Sequence, residues 1–222
     1  MTEIYTTLCK LFKKPLEEVA GSLDYSESNI LILSNEFQQL KSDYPEVWSA
    51  LKSCTHNRDK RTIEQYAQDL VSSWVYEDSV HDQLCQHFDI NLGGSDKNRQ
   101  ILSKSRITSN SDYIITYKNK AFSFELVNSY SNYWKEYQKI DLRDDKFLHL
   151  NHLNAILVCI DIYNKEFYLI DLGLDHKKFR YIPFHKPWNK PAYQIEINDI
   201  KAMQLTITNL VQEIKIKVES RC

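Results

Sequence analysis

The sequence predicts a mixed protein, α/β or α+β, in which helices flank a central mixed sheet. Three observations predict this class. Residues 2–88 place apolar side chains at three- and four-residue spacings, which is typical of helices. Residues 112–196 contain short runs rich in aromatic and β-branched side chains, which is typical of strands. Residues 198–220 return to helical spacing, so we expect a closing helix.

The front of the chain is predicted to be helical throughout. Residues 1–60 form a helical N-terminal region, and residues 62–88 form one long helix or two helices broken near residues 76–79. A Gly-Gly-Ser-Asp run at residues 93–96 then interrupts the pattern. Residues 61–222 form the α/β core with its C-terminal helix, and we expect the two parts to make one compact domain.

Two hairpins are predicted after this interruption. DYIITY and AFSFELVN form the first, because the YKNKA stretch between them supplies a turn. NAILVCIDI is a near-continuous apolar run of strand length, which is expected in a sheet covered on both faces. EFYLIDL pairs with it across the Tyr-Asn-Lys turn at residues 163–165.

A helical segment is predicted between the two hairpins. SNYWKEYQK begins a helix, and DLRDDKFLHLNHL contains one. FRYIPF and AYQIEI add two further strands after the second hairpin.

Composition and charge exclude several classes of protein. The chain has 222 residues, 42% hydrophobic and 26% charged, which is typical of an ordinary globular domain. It has no run of about eighteen apolar residues and no secretory signal pattern, so we expect a cytoplasmic protein without a membrane partner. The net charge of −2 gives no global attraction to nucleic acid. Residues 97–146 hold ten Lys and Arg against six acids, which allows a local basic patch.

Two acids in the first hairpin are the main functional candidates. Asp112 lies at the start of the first strand, and Glu125 lies inside the second. Side chains alternate along a strand, so Glu125 shares a face with Val127 while Phe124 and Leu126 point to the other face. A carboxylate in partly apolar surroundings is costly unless it is paired with a cation. A bound metal would meet that cost.

Both acids also have ordinary structural explanations. Asp112 follows Ser-Asn-Ser, where it would end a loop with an Asx-type turn. Glu125 would lie on an exposed edge strand, or would pair with a lysine such as Lys118 or Lys120.

The order of these elements resembles the core of the PD-(D/E)xK nuclease superfamily, which includes most type II restriction endonucleases. That order is a helix, a strand with an acid at its start, an antiparallel strand with an acid inside it, a helix and a buried strand. Ser111-Asp112 stands in the place of the Pro-Asp, and Glu125 in FSFELVN stands in the place of the second acid. Glu77 or Asp78 matches the helix acid that many members carry.

The resemblance implies a divalent metal site. Asp112 and Glu125 would ligate Mg²⁺, with Mn²⁺ as a substitute, and Glu77 would hold the metal or its water shell. The chain departs from the motif at Val127, where the superfamily usually has its lysine. In some members, including viral cap-snatching endonucleases, that lysine lies on the following helix. Lys139 is the first candidate for this role; Lys135 and Lys146 follow.

The resemblance further implies a metal-dependent endonuclease that hydrolyses double-stranded DNA, as a type II restriction enzyme or a similar defence or phage nuclease. Lys135 and Arg143 would contact the nucleic acid, and the enzyme would act as a homodimer. Two alternatives stay open. One is a catalytically inactive nuclease-like binding or interaction module, with Val127 as its signature. The other is an RNA endonuclease of the cap-snatching type, favoured by the displaced lysine.

Overall fold

The computed structural model describes residues 73, 76–77, 80–94, 97, 110–129 and 131–222. The predicted helical region 1–60 lies outside these residues, as does the first half of the helix predicted from residue 62. Residues 80–84 are helical, in agreement with the predicted end of that helix.

Besides the helical residues 80–84, nine strands and four α-helices lie wholly within the described residues. The strands are β1 (Asp89–Leu92), β2 (Tyr113–Tyr117), β3 (Lys120–Ser129), β4 (Lys139–Arg143), β5 (Ile156–Asp161), β6 (Glu166–Asp171), β7 (Arg180–His185), β8 (Lys190–Glu196) and β9 (Met203–Gln204). The helices are α1 (Tyr133–Tyr137), α2 (Asp144–His152), α3 (Leu172–Asp175) and α4 (Ile207–Ser220). Short 3-10 helices cover His176–Lys178 and Ile197–Asp199.

A six-stranded mixed sheet forms the centre of the fold, in the order β1-β2-β3-β5-β6-β9. Strands β1, β2 and β3 are antiparallel to one another, whereas β3 and β5 run parallel. A parallel pair needs a crossover connection, and the chain between β3 and β5 supplies it with α1, β4 and α2. The sequence-based prediction of a mixed sheet flanked by helices is confirmed.

The hairpin of β2 and β3 is built on a two-residue turn. Lys118 and Asn119 both have positive φ, 48° and 62°, and Tyr117 pairs directly with Lys120. Two consecutive residues of positive φ match the right-handed twist of the flanking strands. The predicted first hairpin is therefore confirmed, and the turn sets the register that brings Asp112 toward β3.

The second predicted hairpin is also confirmed. All six residues of β5 are buried, and β6 pairs with it in antiparallel fashion from Ile156 opposite Asp171 to Asp161 opposite Glu166. A strand that is apolar on both faces requires cover on both sides, which the rest of the chain provides.

The segment between the hairpins differs in part from its prediction. Helices α1 and α2 occur where they were predicted, but the residues between them form the strand β4 rather than a helix. Strand β4 joins β7 and β8 in a separate three-stranded sheet, in the order β4-β8-β7. β4 is only five residues long, so its pairing with β8 decides its conformation, and this partner is remote in sequence. Strand β1 was likewise not predicted.

Two apolar cores cover the two faces of the central sheet. On one face, Leu210, Ile214 and Val218 of α4 pack among residues of β2, β3, β5 and the helical residues 80–84. On the other face, Phe147 and Leu150 of α2 pack with residues of β5, β6 and the small sheet. The predicted closing helix is confirmed over Ile207–Ser220, whereas Met203–Gln204 of the predicted stretch form the strand β9. Among the described residues, no helix combines the length and the apolar character needed to span a membrane.

Candidate functional site

The backbone of the first hairpin brings Asp112 next to Glu125. Tyr113 pairs with Phe124, so extending this antiparallel register by one residue sets Asp112 opposite Glu125. The backbone N–H of Leu126 donates a hydrogen bond to Oδ2 of Asp112 at 2.8 Å. The carboxylate of Asp112 is thus fixed against the residue that follows Glu125.

A glycine of the preceding loop fixes the backbone of Asp112. The N–H of Gly93 donates to the carbonyl oxygen of Asp112 at 2.6 Å. A Cβ atom added at Gly93 would lie 2.1 Å from the carbonyl oxygen of Ser111, which is far inside van der Waals contact. Only glycine allows this approach of the two backbones.

Glu125 is completely buried beneath α2. Its exposed fraction is 0%, and its backbone pairs with that of Leu157 in the centre of β5. Phe124 and Leu126 belong to the opposite core, as the alternation predicted. Among the described residues, Oε2 of Glu125 finds no hydrogen-bond donor. A buried carboxylate oxygen without a donor is energetically unfavourable, and this is typical of functional sites.

Lys146 is the lysine that reaches these acids. It lies in the first turn of α2, and its Nζ forms an ion pair with Oε1 of Glu125. The Lys146 side chain is 30% exposed, so the pair has one side toward solvent. We call Asp112, Glu125 and Lys146 the acid–lysine centre.

The charges of the acid–lysine centre are strongly coupled. Burial raises the pKa of Glu125 well above its ordinary value, and the neighbouring charge of Asp112 raises it further, while Lys146 opposes both. Burial lowers the pKa of Lys146, but the attraction of Glu125 and Asp112 outweighs burial, so the pKa lies above its usual value. The charge of Asp112 raises the pKa of Glu125, and two acidic groups this close favour the binding of a cation between them.

The other residues predicted for the site have different surroundings. Lys139 lies on β4 with its Nζ 5.9 Å from the ring centroid of Tyr137. Of the three lysines predicted for this role, Lys146 is the one that forms an ion pair with Glu125. The backbone oxygen of Glu77 accepts a 2.7 Å hydrogen bond from the hydroxyl of Tyr113, so Glu77 lies near the start of β2. Its alternative Asp78 falls outside the described residues.

The two predicted nucleic-acid contacts are both engaged in ion pairs. Nζ of Lys135 lies 2.5 Å from Oε2 of Glu166. Nε of Arg143 lies 3.8 Å from Oδ1 of Asp145, and both side chains are exposed. Arg143 also lies close enough to lower the pKa of Lys146. Arg143 is thus beside the acid–lysine centre, whereas Lys135 is ion-paired with Glu166 of β6.

The donor set of the centre fits a hard divalent cation. Asp112 and Glu125 offer carboxylate oxygens, and Mg²⁺ takes one or two carboxylates with water and substrate phosphate as its remaining ligands. Groups of three or more Cys, His, Asp or Glu side chains suited to a metal do not occur among the described residues. A two-carboxylate site matches a metal that is completed by its substrate.

A second buried polar cluster lies in the small sheet and was not predicted from the sequence. Asp141 accepts hydrogen bonds from Nε2 of Gln194 at 2.8 Å, from the hydroxyl of Tyr133 at 3.0 Å and from Nε2 of His185 at 3.1 Å. Arg180 donates to Oε1 of Gln194 at 2.9 Å. Burial and the charge of Asp141 raise the pKa of Tyr133 to about 12. We call these five residues the Asp141 network, and it ties β4 to β7 and β8.

No protein-family model matches this chain. No curated protein matches it in sequence. The function is therefore inferred from the geometry and electrostatics of the acid–lysine centre.

Proposed function

We propose that this protein is a metal-dependent DNA endonuclease whose active site is the acid–lysine centre. The observation that carries the proposal is the meeting of three side chains from separate parts of the chain: Asp112 immediately before β2, Glu125 on β3 and Lys146 on α2. Duplex DNA is the proposed substrate, and a homodimer acting in a restriction system or a similar defence or phage function is the proposed setting.

The topology supports the proposal. Three antiparallel strands, then a helix, then a strand parallel to the third follow the arrangement of the PD-(D/E)xK core. Val127 occupies the usual lysine position of the motif, and Lys146 on α2 supplies the missing positive charge from the helix. A lysine ammonium thus lies beside the acids, although its position in the sequence differs from that of the motif lysine.

The chemistry of phosphodiester hydrolysis explains why these residues are needed. Mg²⁺, when bound, supplies a water that is nucleophilic near neutral pH and neutralises charge on the phosphate. Asp112 and Glu125 would hold the cation on rigid strands, and Glu77 is assigned to its water shell. The ammonium of Lys146 would orient the attacking water or stabilise the charge that develops in the transition state.

Cleavage and metal binding provide separate tests. We expect purified protein to cut supercoiled plasmid in Mg²⁺ and to be inactive in EDTA. Asp112→Asn and Glu125→Gln should abolish cleavage, whereas Glu196→Gln, which changes an exposed acid of β8, should cut normally. Mg²⁺ should raise the Tm of the wild type and not that of the first two variants, because a ligand that binds only the folded state stabilises it.

The outcomes of this experiment are distinct. Discrete fragments would support a restriction enzyme, and a smear would support a nuclease with little sequence preference. Absence of both cleavage and a Mg²⁺-dependent Tm shift would overturn the proposal and leave the inactive binding module.

A second candidate function is an endoribonuclease with the same centre. The position of Lys146 on the helix after β3 favours it, because cap-snatching endonucleases carry their lysine on that helix. Cleavage of single-stranded RNA in Mg²⁺, with duplex DNA left intact, would decide for this candidate.

A further inference from the structure

The region around β7 and β8 has an unusual charge pattern. Residues 176–193 contain five Lys and Arg and no Asp or Glu; the five are Lys177, Lys178, Arg180, Lys186 and Lys190. We call residues 176–193 the basic hairpin. The protein as a whole has a net charge of −2, so this segment is a local concentration of positive charge.

Three of its basic side chains are available to a ligand. Lys177, Lys186 and Lys190 are exposed, and within the described part of the chain none of them forms an ion pair. Lys178 differs because its Nζ lies 2.8 Å from Asp175. Lysines that are neither buried nor paired can neutralise phosphates at little structural cost.

Large aromatic side chains of the same hairpin point into solvent. Phe184 is 61% exposed, Tyr181 48% and Trp188 38%. Single exposed apolar residues are common, but three exposed aromatic rings interleaved with exposed lysines along the sequence give this hairpin a surface that is both aromatic and basic. Such surfaces bind nucleic acid strands, because each ring can stack on a base while the lysines follow the phosphates.

The hairpin is held in place rather than freely hinged. His185 at the end of β7 is buried against Asp141 of β4, and the N–H of Trp188 donates to the backbone oxygen of His185 at 3.1 Å. The pairing of β7 with β8 shifts register between Ile182 and His185, and the exposed Phe184 lies in that interval. A surface fixed in this way loses little conformational entropy when it binds a ligand.

Direct packing connects the basic hairpin to the helix of the active site. The rings of Phe147 and Tyr193 stack with centroids 3.9 Å apart, and Tyr193 also contacts Tyr181, with centroids 5.4 Å apart. Phe147 immediately follows Lys146 in α2. The basic hairpin and the acid–lysine centre are therefore supported by the same helix.

We propose that the basic hairpin binds single-stranded DNA, with bases stacked on Phe184 and Trp188 and phosphates neutralised by Lys177, Lys186 and Lys190. An unpaired strand fits better than a duplex, because the faces of paired bases are already stacked inside the double helix. Delivery of this strand toward the acid–lysine centre rests on the proposed nuclease function. Binding of the strand does not depend on that function.

The test is fluorescence anisotropy with a labelled 20-nucleotide oligo(dT) and the full chain, in EDTA so that no metal-dependent cleavage occurs. The double variant Phe184→Ala/Trp188→Ala should weaken binding by about tenfold or more, because base stacking on an aromatic ring contributes strongly to affinity. The slope of the logarithm of the affinity against the logarithm of the salt concentration should be smaller in magnitude by about 1.4 in Lys186→Gln/Lys190→Gln. Each phosphate contact to a single strand contributes about 0.7 to that slope, and the variant loses two contacts.

Matched controls separate the hairpin from the rest of the surface. Tyr163→Ala removes an exposed aromatic ring from the β5–β6 turn, and Lys215→Gln removes an exposed charge from α4. Both controls should bind oligo(dT) like the wild type. Equal weakening by controls and hairpin variants would overturn the proposal, as would equal or tighter binding of duplex DNA or of oligo(U).

The experiment distinguishes the two proposals. If the plasmid assay fails while the hairpin variants lose oligo(dT) binding, the nuclease proposal falls and the hairpin proposal stands. If the protein cuts DNA while the hairpin variants bind oligo(dT) normally, only the hairpin proposal falls.

Discussion

Lys146 and Glu125 form an ion pair that joins the first turn of α2 to the middle of β3. The carboxylate is completely buried, and the ammonium is partly exposed. A buried ion pair costs about as much in desolvation as it gains in attraction, so it contributes little to stability. Its position beside Asp112 is what the proposed nuclease function would use.

The identity of the active-site lysine can be tested by two matched substitutions. Lys146→Met should lower the rate of plasmid cleavage by about 100-fold or more, because in the proposed function it removes the positive charge that would stabilise the transition state. Lys139→Met should leave the rate near that of the wild type, since Lys139 is directed toward Tyr137. Single-turnover rates measured at saturating Mg²⁺ compare the two variants directly.

Loss of Lys146 also has an expected effect on stability. It leaves Glu125 buried without its cation, so the free energy of unfolding near neutral pH should fall by up to about 3 kcal/mol. A normal cleavage rate for Lys146→Met, or an equally large loss of rate for Lys139→Met, would refute this assignment of the lysine.

The pKa of Glu125 predicts how stability depends on pH. Because this pKa is raised above the ordinary value of 4.5, the folded state holds the proton more tightly than the unfolded state. The corresponding stability is fully present below pH 4.5 and is lost as the pH rises through the folded pKa. Glu125→Gln cannot ionise, so its stability relative to the wild type should increase as the pH rises above 4.5.

Urea unfolding of both proteins between about pH 4 and pH 8 measures this difference. The slope of stability with pH is the quantity to compare, because the ion pair with Lys146 is one of the interactions that set the pKa of Glu125. The free energy of unfolding of Glu196→Gln, a change at an exposed position, should vary with pH in parallel with that of the wild type. If the free energy of unfolding of Glu125→Gln varied with pH in parallel with that of the wild type, the pKa of Glu125 would not be raised.

Gly93 is expected to be intolerant of any side chain. Gly93→Ala would force its Cβ against the backbone oxygen of Ser111, and relief requires movement of the segment that carries Asp112. We expect a loss of about 1–3 kcal/mol in stability, as for overpacking. A displacement of about 1 Å at Asp112 would also lower the cleavage rate by about 100-fold.

Gly173→Ala is the matched control for Gly93→Ala. Its Cβ would lie 3.1 Å from Nη2 of Arg221 and 3.2 Å from Oδ1 of Asp171, which is a milder conflict than the 2.1 Å approach to a backbone oxygen at Gly93. Its cleavage rate should stay near that of the wild type. Equal effects of the two variants, measured by thermal unfolding and by plasmid cleavage, would show that Gly93 has no special relation to the site.

The Asp141 network should stabilise the small sheet. Asp141→Ala removes the acceptor for Tyr133, His185 and Gln194, and each buried donor left without an acceptor costs about 1–3 kcal/mol. Urea unfolding should therefore show a loss of several kcal/mol. Asp199→Ala, at an exposed acid of a 3-10 turn, should change stability by less than about 0.5 kcal/mol. A small effect at Asp141 would indicate that water replaces its hydrogen bonds.

Local sequence patterns predicted the elements whose conformation depends on residues close to one another in the sequence. The Lys-Asn turn between two alternating runs predicted the β2–β3 hairpin, since positive φ at both turn residues favours one register. The uniformly apolar run at residues 156–161 predicted a strand covered on both faces, and the helical spacing from residue 207 predicted α4. Strand β4 was not predicted, because its five residues are extended through their pairing with β8, which is remote in sequence.

By itself, the sequence determined that Asp112 and Glu125 lie at neighbouring positions of one hairpin, because turn geometry and strand alternation are short-range properties. Only the tertiary structure decided that Lys146, and not Lys139, accompanies them. A lysine side chain reaches only a few ångströms, so its partner depends on how α2 packs across the sheet. That packing is set by Phe147 and Leu150 in the second core, through contacts remote in sequence.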